Sequence, residues 1–332
     1  GSKVAVTDIL KNKMGFDGFV VTDWNGIGEV KGCRNDSCAQ AVNAGNDMFM
    51  VPDDWKAFIA NTIKQVESGE IPMARIDDAV TRIIRVKLRA GLFDKSPAQN
   101  AYAGKDDAMQ ARALARQAVR ESLVLLKNEG PALPLKRGQK ILVVGKSADE
   151  LSNQSGGWSI TWQGTATTNA DFKNADTILT GIRDAAGSDN VRFSVDAKDV
   201  DVTKFDTVLA VIGERPYAEG DGDIHPSGTL RHSSRYPEDL AVLQAVAGKG
   251  KPVITVMVTG RPVYGNDLLN LSDTFISAWL PGSEGKGVSD LLIAGGKRYD
   301  FRGTLPFSWP KSACQVKLNV GDKAYAPLFA YG

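Results

Sequence analysis

The stretch "DTVLAVIGERPYAEGDGD", residues 206–223, decides the fold of the larger part of the chain. Its first half is a continuous apolar run that ends at Gly213, and its second half is a loop rich in glycine and acidic residues. A strand that is covered on both faces carries apolar side chains at every position rather than at alternate ones. The run therefore predicts a central strand of a parallel sheet, with the acidic loop at its carboxyl end.

Similar apolar runs recur on both sides of this strand and alternate with segments of helical spacing. Such alternation indicates parallel strands joined by crossover helices, with helices covering both faces of the sheet. The predicted strands are 141–145, 191–195, 206–213, 253–259 and 274–280, and the predicted helices are 111–128, 176–186, 236–248 and 284–294.

Residues 1–95 show a shorter alternation of the same kind. Two strands with their helices cannot close a barrel, and an open pair leaves edges and one face uncovered. We therefore expect this part to be an incomplete domain and the chain to belong to a larger protein. The predicted strands are 18–22 and 47–51, the predicted helices are 4–14, 36–45, 53–67 and 72–91, and the last helix carries Ile76, Val80, Ile83, Ile84 and Leu88 on one face.

Composition and charge exclude several classes of protein. The chain has 40 basic and 39 acidic residues, and its formal net charge of +1 gives no electrostatic reason to expect nucleic acid or an anionic membrane as a partner. No apolar run approaches the ~20 residues of a membrane span. Cys33 and Cys38 enclose a short polar loop, whose spacing allows a disulfide in an oxidising compartment or two free thiols. The two histidines lie far from these cysteines, which disfavours a zinc site.

Two phosphate- or metal-binding patterns fail on their spacing. Gly145-Lys146-Ser147 ends a strand as a P-loop does, but Lys140 stands where that motif needs its first glycine. The acidic run 219–223 lacks the remaining ligand positions of an EF-hand calcium loop.

Carboxylates and tryptophans at loop positions remain as candidates for chemistry. In "GFDGFVVTDWNG", residues 15–26, Asp23 and Trp24 directly follow a short strand. Such an aspartate either caps the next turn or, in barrel-type α/β domains, lies where catalytic residues lie. In "GGWSITWQG", residues 156–164, two tryptophans flanked by glycines suggest a stacking platform for a sugar ring. The acidic loop adds four further carboxylates: Glu214, Glu219, Asp221 and Asp223.

Together these residues suit glycoside hydrolysis. A retaining enzyme needs one carboxylate that attacks the anomeric carbon and one carboxylic acid, about 5–5.5 Å away, that protonates the leaving oxygen. The acid must keep its proton near neutral pH, which requires a raised pKa. The residues alone do not choose among the four carboxylates of the acidic loop.

The sequence resembles the glycoside hydrolase family 3 exo-β-glucanases and β-glucosidases, both plant cell-wall enzymes and secreted bacterial relatives. The resemblance runs along nearly the whole chain in ordered blocks: "GFDGFVVTDW", "AGNDMFMVP", "IPMARIDDAVTRIIRVKLRAGLF", "ARQAVRESLVLLKN", "GGWSITWQG", "GERPYAEGDGD", "TGRPV", "WLPGSEGKGVSDLL" and "GTLPFSW". It implies an α/β fold in which residues 1–95 are the C-terminal portion of a (β/α)8-type catalytic barrel and 96–112 are a linker. Residues 113–332 would form a flavodoxin-like αβα sandwich with a mostly parallel sheet, and the family's active site lies between the two domains.

The same resemblance implies a role for each candidate residue. Asp23 corresponds to the nucleophile, and Glu219, which follows Pro-Tyr-x, corresponds to the acid/base, with Glu214 as the alternative. Trp158 and Trp162 correspond to the pair that clamps a glucosyl unit, and Trp24 would line the glucose pocket. The implied activity is that of a retaining, exo-acting β-glucan glucohydrolase or β-glucosidase that releases glucose from non-reducing ends.

The resemblance also implies the surroundings of the reaction. No metal or organic cofactor is expected, and the partners are a β-linked glucan or gluco-oligosaccharide and the missing N-terminal barrel portion. The protein is expected to be secreted or periplasmic.

This chain departs from the family in two respects. The plant enzymes have an arginine shortly after the nucleophile's tryptophan, where this chain has "NGIGEV" and Glu29. Family residues that bind glucose come from earlier barrel strands, so this chain by itself is expected to bind glucose poorly. A β-xylosidase or broad-specificity glycosidase, and a catalytically silent carbohydrate-binding fragment, remain as alternatives.

Overall fold

The chain forms two compact units, Gly1–Gln110 and Ala111–Gly332, each with its own hydrophobic core. The computed structural model describes residues 1–105, 107, 110–130, 132–198, 200–225, 228–295, 299–315 and 317–332. The division into a barrel portion 1–95, a linker 96–112 and a sandwich 113–332 stays a prediction. Its linker includes residues 106, 108 and 109, which lie outside the described residues.

The first unit contains the four helices expected from the sequence, each within a few residues of its predicted bounds. The first is wound as a π-helix, and the others are regular α-helices. They are the π-helix Val4–Lys13, α1 (Ala39–Asn43), α2 (Trp55–Glu67) and α3 (Met73–Arg89).

The two predicted strands of this unit run parallel to each other, as expected, but they form only one ladder bridge, between Val21 and Met48. The backbone N–H of Met48 donates to the Val20 carbonyl at 3.0 Å, and that of Thr22 donates to the Met48 carbonyl at 3.0 Å. An isolated pair of strands is marginally stable, because no neighbouring strand completes its hydrogen bonds. The segments are therefore extended and paired, but shorter than the predicted strands 18–22 and 47–51.

A buried ion cluster holds this unit together. The Asp47 carboxylate, whose side chain is inaccessible to solvent, accepts a hydrogen bond from Lys11 Nζ at 2.8 Å and another from the Val20 N–H at 2.8 Å. Arg75 of α3 pairs with both Asp47 and Asp78. Because buried charges are tolerated only when they are paired, this cluster fixes the π-helix and α3 to the paired extended segments.

The structure joins Cys33 and Cys38 in a disulfide, which is the first of the two alternatives that the sequence left open. Cys314 is free and exposed.

One face of α3 remains exposed. Its predicted apolar stripe buries Ile76 and Ile83 only in part, while Val80, Ile84 and Leu88 are exposed, Leu88 to 58%. The expectation of an amphipathic helix is confirmed, but the apolar face has no cover among the described residues.

The second unit is built on a six-stranded sheet in the order β1-β6-β5-β4-β2-β3. All neighbouring pairs are parallel except β1 and β6, which are antiparallel. The five parallel strands follow the doubly wound order of flavodoxin-like folds, which confirms the predicted fold of this unit. The strands are β1 (Val124–Asn128), β2 (Ile141–Val144), β3 (Val191–Ser194), β4 (Thr207–Gly213), β5 (Val253–Val258) and β6 (Thr274–Trp279).

Helices cover both faces of this sheet, so the unit is an αβα sandwich. Alternate residues of each strand point to opposite faces: Ile141 packs with one apolar cluster and Leu142 with the other. One cluster takes in α4 (Arg112–Ser122), α6 (Ile178–Ala186) and α10 (Gly285–Leu292), the other takes in α8 (Pro237–Val246) and α9 (Asn266–Asn270), and α5 (Leu151–Ser155) and α7 (His232–Arg235) are short.

The prediction of one helix over 111–128 is wrong in its second half. Helix α4 ends at Ser122, and Val124–Asn128 form β1, which pairs with β6 along the edge of the sheet. A short apolar run such as "LVLL" fits a helix and a strand equally well by periodicity. Here tertiary pairing decides, because β1 supplies hydrogen bonds that the edge strand β6 would otherwise lack.

Candidate active site

Asp23 lies at the carboxyl end of the first extended segment, in the first unit. The turn after it is held by two backbone contacts: Gly26 N–H donates to the Asp23 carbonyl at 3.1 Å, and Asn25 N–H donates to the Met50 carbonyl at 2.9 Å. The Asp23 carboxylate is exposed and accepts a hydrogen bond from the Trp24 N–H at 2.7 Å. Among the described residues its carboxylate has no cationic partner, so no ion pair shields its oxygens.

Trp24 follows directly and is 67% exposed. An indole that is open to solvent beside a free carboxylate is a suitable wall for the apolar face of a sugar.

In the second unit, β4 delivers the acidic loop, residues 214–223, which we call the acid loop. At Gly213 the chain passes so close to β5 that a Cβ would clash with the Val258 carbonyl oxygen. Glycine is therefore required there, and Glu214 N–H donates to the same oxygen at 2.9 Å.

Glu214 is buried, and its carboxylate is fully engaged. Arg235 Nη1 donates to Oε1 at 2.6 Å, and Arg261 Nε lies 3.4 Å from Oε2. The Thr259 hydroxyl donates to Oε2 at 2.6 Å, and the Tyr217 hydroxyl donates to it at 3.1 Å. A buried carboxylate whose oxygens are already bound by two guanidiniums and two hydroxyls is out of reach of a substrate, which argues against the alternative assignment of Glu214 as the acid/base.

Tyr217 adds a fixed donor to this network. Burial, followed by the nearby charge of Glu214, raises the pKa of Tyr217 to about 12. The phenol therefore keeps its proton throughout the neutral range and donates a hydrogen bond to Glu214.

Glu219 has the opposite environment. It is exposed, and its side chain has no hydrogen-bond or ion-pair partner among the described residues. Its backbone has φ of 49°, in the left-handed region, which costs about 1–3 kcal/mol for a residue other than glycine and is concentrated at functional sites. Asp221 and Asp223 are exposed as well, so the backbone conformation rather than exposure distinguishes Glu219 within the loop.

The segment 156–164, which we call the aromatic loop, carries Trp158 and Trp162. They are 70% and 55% exposed, and their ring centroids are 6.2 Å apart at 47°. Trp158 N–H donates to the Trp162 carbonyl at 2.8 Å, and both Trp158 and Ile160 have positive φ. The tight backbone therefore holds two large rings in solvent, where they form an open stacking surface.

The aromatic loop and the acid loop are in direct contact. Gln163 Oε1 accepts a hydrogen bond from the Ala218 N–H at 2.6 Å, directly before Glu219. A Cβ on Gly157 would clash with the Tyr217 carbonyl oxygen. The second unit thus brings Glu219 together with Trp158 and Trp162, whereas Asp23 and Trp24 belong to the first unit.

Several residues around the acid loop were missed as site residues. Gln163 stands inside the quoted block "GGWSITWQG", and Arg261 inside "TGRPV", but a sequence pattern does not show which side chains point at the acid loop. Among the described residues, no group of three or more histidine, cysteine and acidic side chains is arranged to hold a metal ion. No described helix is long and apolar enough to cross a membrane.

Comparison with known proteins gives matches over both units. Residues 1–86 match the glycosyl hydrolase family 3 N-terminal domain, and residues 123–332 match the glycosyl hydrolase family 3 C-terminal domain. The chain is 32% identical to a lysosomal beta glucosidase of Dictyostelium discoideum, over 98% of this chain and 42% of that protein.

Two solved structures are similar over nearly the whole chain. An exo-1,3/1,4-beta-glucanase from a Pseudoalteromonas species is 46% identical with a TM-score of 0.92, over 100% of this chain and 42% of that one. A beta-glucosidase from Listeria innocua, solved in complex with glucose, is 26% identical with a TM-score of 0.76, over 96% of this chain and 44% of that one. The chain spans about half the length of these relatives. With matches to both domains of one family, the chain belongs to glycosyl hydrolase family 3.

Proposed function

We propose that this chain is part of a retaining, exo-acting β-glucan glucohydrolase or β-glucosidase, which releases glucose from non-reducing ends. The observation that carries the proposal is the contrast within the acid loop: Glu214 is buried and paired with two arginines, whereas Glu219 is exposed and unpaired among the described residues. Asp23 is likewise exposed at the end of an extended segment. Asp23 and Glu219 are therefore proposed for the two roles that the reaction needs, and the left-handed backbone of Glu219 distinguishes it from the equally exposed Asp221 and Asp223.

In the first step the Asp23 carboxylate attacks the anomeric carbon of the terminal glucosyl unit. The bond to the leaving oxygen breaks, and Glu219 gives that oxygen its proton. In the second step the ionised Glu219 takes a proton from water, whose oxygen displaces Asp23 from the sugar. Two displacements restore the configuration, and both carboxyl groups return to their starting protonation states.

The proposed substrates are β-linked glucans and gluco-oligosaccharides. The exposed rings of Trp158 and Trp162 beside the acid loop favour a glucosyl unit stacked on them, because such rings offer flat apolar faces to pyranose C–H groups. The glucose complex of the Listeria beta-glucosidase supports the same substrate class.

The proposed setting is an oxidising compartment outside the cytoplasm, secreted or periplasmic. The Cys33–Cys38 disulfide supports this, because reducing compartments keep such cysteines as free thiols. The proposed protein partner is the N-terminal barrel portion, which would supply the glucose-binding residues that the family draws from earlier strands.

A mechanism-based 2-fluoroglucoside, followed by peptide mass spectrometry of the active full-length enzyme, tests the nucleophile. We expect the fluoroglucosyl label on Asp23, because the fluorine slows the second displacement and the glycosyl-enzyme accumulates. A label on any other carboxylate contradicts the assignment.

Azide rescue tests the acid/base. Glu219→Ala should lose activity and regain it with azide, giving the β-glucosyl azide, because the small anion enters the space of the missing carboxylate. Asp221→Ala is the matched control, since it removes an exposed carboxylate from the same turn. Rescue of Glu214→Ala instead would reverse the assignment.

The alternatives differ in measurable ways. A β-xylosidase would hydrolyse aryl xylosides with a higher kcat/KM than aryl glucosides, whereas the tryptophan pair favours glucosides. If the protein is a catalytically silent carbohydrate-binding protein, its full-length form should bind gluco-oligosaccharides but acquire no covalent label from the 2-fluoroglucoside.

A further inference from the structure

Arg261 contacts the acid loop at three points along its length. Its Nη1 donates to the Gly222 carbonyl at 2.6 Å, and its Nε donates to the Tyr217 hydroxyl at 2.7 Å. The same Nε lies 3.4 Å from Glu214 Oε2. The guanidinium also stacks on the Tyr217 ring, 4.2 Å from its centroid. One side chain therefore ties together the beginning, the middle and the end of the loop.

Glu219 lies between these contacts, and the backbone directly before it is also held by the hydrogen bond from the Ala218 N–H to Gln163. Glu219 is exposed, with a left-handed backbone, and among the described residues its carboxylate has no partner. Such a conformation persists only when its surroundings determine it. The Arg261 guanidinium supplies part of that constraint, because its planar fork binds Tyr217 and Gly222 at once while its Nε also lies beside Glu214.

Arg235 differs in an informative way. It binds the same Glu214 carboxylate, through Oε1, but its guanidinium stacks on Tyr236, outside the acid loop. The two arginines share the pairing with Glu214, and Arg261 alone adds bonds to Tyr217 and Gly222. Arg261 Nη2 is buried and has no hydrogen-bond partner among the described residues, and a buried donor without a partner costs free energy. The side chain therefore binds the acid loop at the expense of one of its own donors.

We propose that Arg261 is a positioning residue that holds the acid loop so that the Glu219 carboxyl reaches the glycosidic oxygen. The inference rests on the proposed function, in which Glu219 is the acid/base. It concerns the geometry of proton transfer: Arg261 binds no substrate and acts through Tyr217 and the Gly222 carbonyl.

The test compares Arg261→Lys with Arg235→Lys in the active full-length enzyme. Lysine keeps the positive charge but has a single ammonium, which cannot replace a planar fork that binds Tyr217 and Gly222 together. The readout is kcat/KM for two aryl glucosides, one with a poor leaving group that needs protonation and one with 2,4-dinitrophenolate, which leaves with little help. Thermal unfolding is measured alongside.

For Arg261→Lys we expect kcat/KM to fall about 10²-fold with the poor leaving group, the scale of a catalytic group displaced by about 1 Å. It should fall less than about 3-fold with the dinitrophenyl glucoside, because that substrate does not depend on the acid. Arg235→Lys should lower the melting temperature as much as Arg261→Lys does, without this discrimination between substrates. An equal loss for both leaving groups, or the same discrimination in Arg235→Lys, would overturn the inference.

Tyr217→Phe provides a second route in case Arg261→Lys does not fold. It removes the hydroxyl that Arg261 holds but keeps the ring on which the guanidinium stacks. It should show the same preference for the dinitrophenyl glucoside, with a smaller loss, and no preference would contradict the inference. Glu219→Ala separates the two proposals: if it does not discriminate between leaving groups, the proposed function itself fails. If it does discriminate and Arg261→Lys does not, only the role of Arg261 fails.

Discussion

Within the acid loop, two glutamates five residues apart have opposite surroundings. Two guanidiniums and two hydroxyls surround Glu214, whereas Glu219 faces solvent. Environment, rather than residue type, separates a structural anion from a candidate reagent, as it does between paired carboxylates in glycosidases. The loop residues by themselves leave this choice open, because both glutamates stand in the same glycine-rich segment, and only the family resemblance favours Glu219.

Asp47 shows the same principle in the first unit, in a purely structural role. We predict that Asp47→Asn destabilises this unit by about 3–5 kcal/mol, because it leaves the buried Lys11 ammonium without its main counter-ion. Asparagine keeps the size of the side chain, so the loss measures charge pairing rather than packing. Urea unfolding at neutral pH, followed by circular dichroism, gives the free energy of unfolding.

The control for this prediction is Asp36→Asn. Asp36 pairs with Arg34 on the surface, where solvent screens the interaction, so its loss should change the unfolding free energy little. If Asp47→Asn is as mild as Asp36→Asn, the buried cluster does not stabilise the unit as argued.

At the scale of elements, sequence reasoning succeeded where periodicity and tertiary pairing agree. The five parallel strands of the second unit are predicted to within two residues, because most of their residues are apolar and the central strands β2, β4 and β5 are buried along their whole length. The prediction of a helix is wrong at β1. A short apolar run fits a helix and a strand equally well, and pairing with β6 decides in favour of the strand. The predicted lengths of the paired segments around Val21 and Met48 are too long, because strand length depends on neighbouring strands that the sequence pattern does not show.

The candidate site shows the same limit. Asp23, Glu219 and the two tryptophans of the aromatic loop are candidates that follow from strand ends, from unusual loop composition and from a family resemblance. Gln163 and Arg261 were not, because glutamine and arginine are common on surfaces and their importance lies in what they contact. Only the fold shows that Gln163 reaches the backbone of the acid loop.

We predict that Gly157→Ala disrupts the contact between the aromatic loop and the acid loop. Gly157→Ala places a methyl group against the Tyr217 carbonyl and 2.9 Å from the Ala218 Cβ, so the two loops must separate. We expect kcat/KM for a gluco-oligosaccharide to fall about 10²-fold, since a displacement of about 1 Å at a catalytic group has that effect. Steady-state kinetics and a thermal melt of the full-length enzyme measure activity and stability separately.

Gly265→Ala is the matched control for Gly157→Ala. Its new methyl group meets only Leu268 Cδ1 at 3.6 Å, an ordinary contact, and φ there is −143°. Activity should remain within about 2-fold of the parent, as expected for a change away from the site. Unchanged activity in Gly157→Ala would mean that the loops move independently.

At the scale of the whole molecule, the two units differ in how completely their apolar surface is covered. The sheet of the second unit is packed on both faces, and the strand residues of its two clusters are buried. In the first unit, α3 leaves Val80, Ile84 and Leu88 exposed along one face. An apolar stripe of this kind on a helix normally packs against another element. Since the relatives are about twice as long as this chain, we expect residues outside it to cover the stripe.

If residues outside the chain cover this stripe, Leu88→Ala should have different effects in the chain 1–332 and in the full-length protein. In the chain alone, Leu88→Ala should change the unfolding free energy by less than about 0.5 kcal/mol, because the side chain is already in water and alanine favours a helix. In the full-length protein the same substitution should cost about 2–5 kcal/mol, the range for emptying a packed site. Ile71→Ala, at a fully buried position, should be costly in both proteins and serves as the control. Equal small effects of Leu88→Ala in both would mean that no further segment packs on α3, and the proposed N-terminal partner would then have to bind the first unit elsewhere.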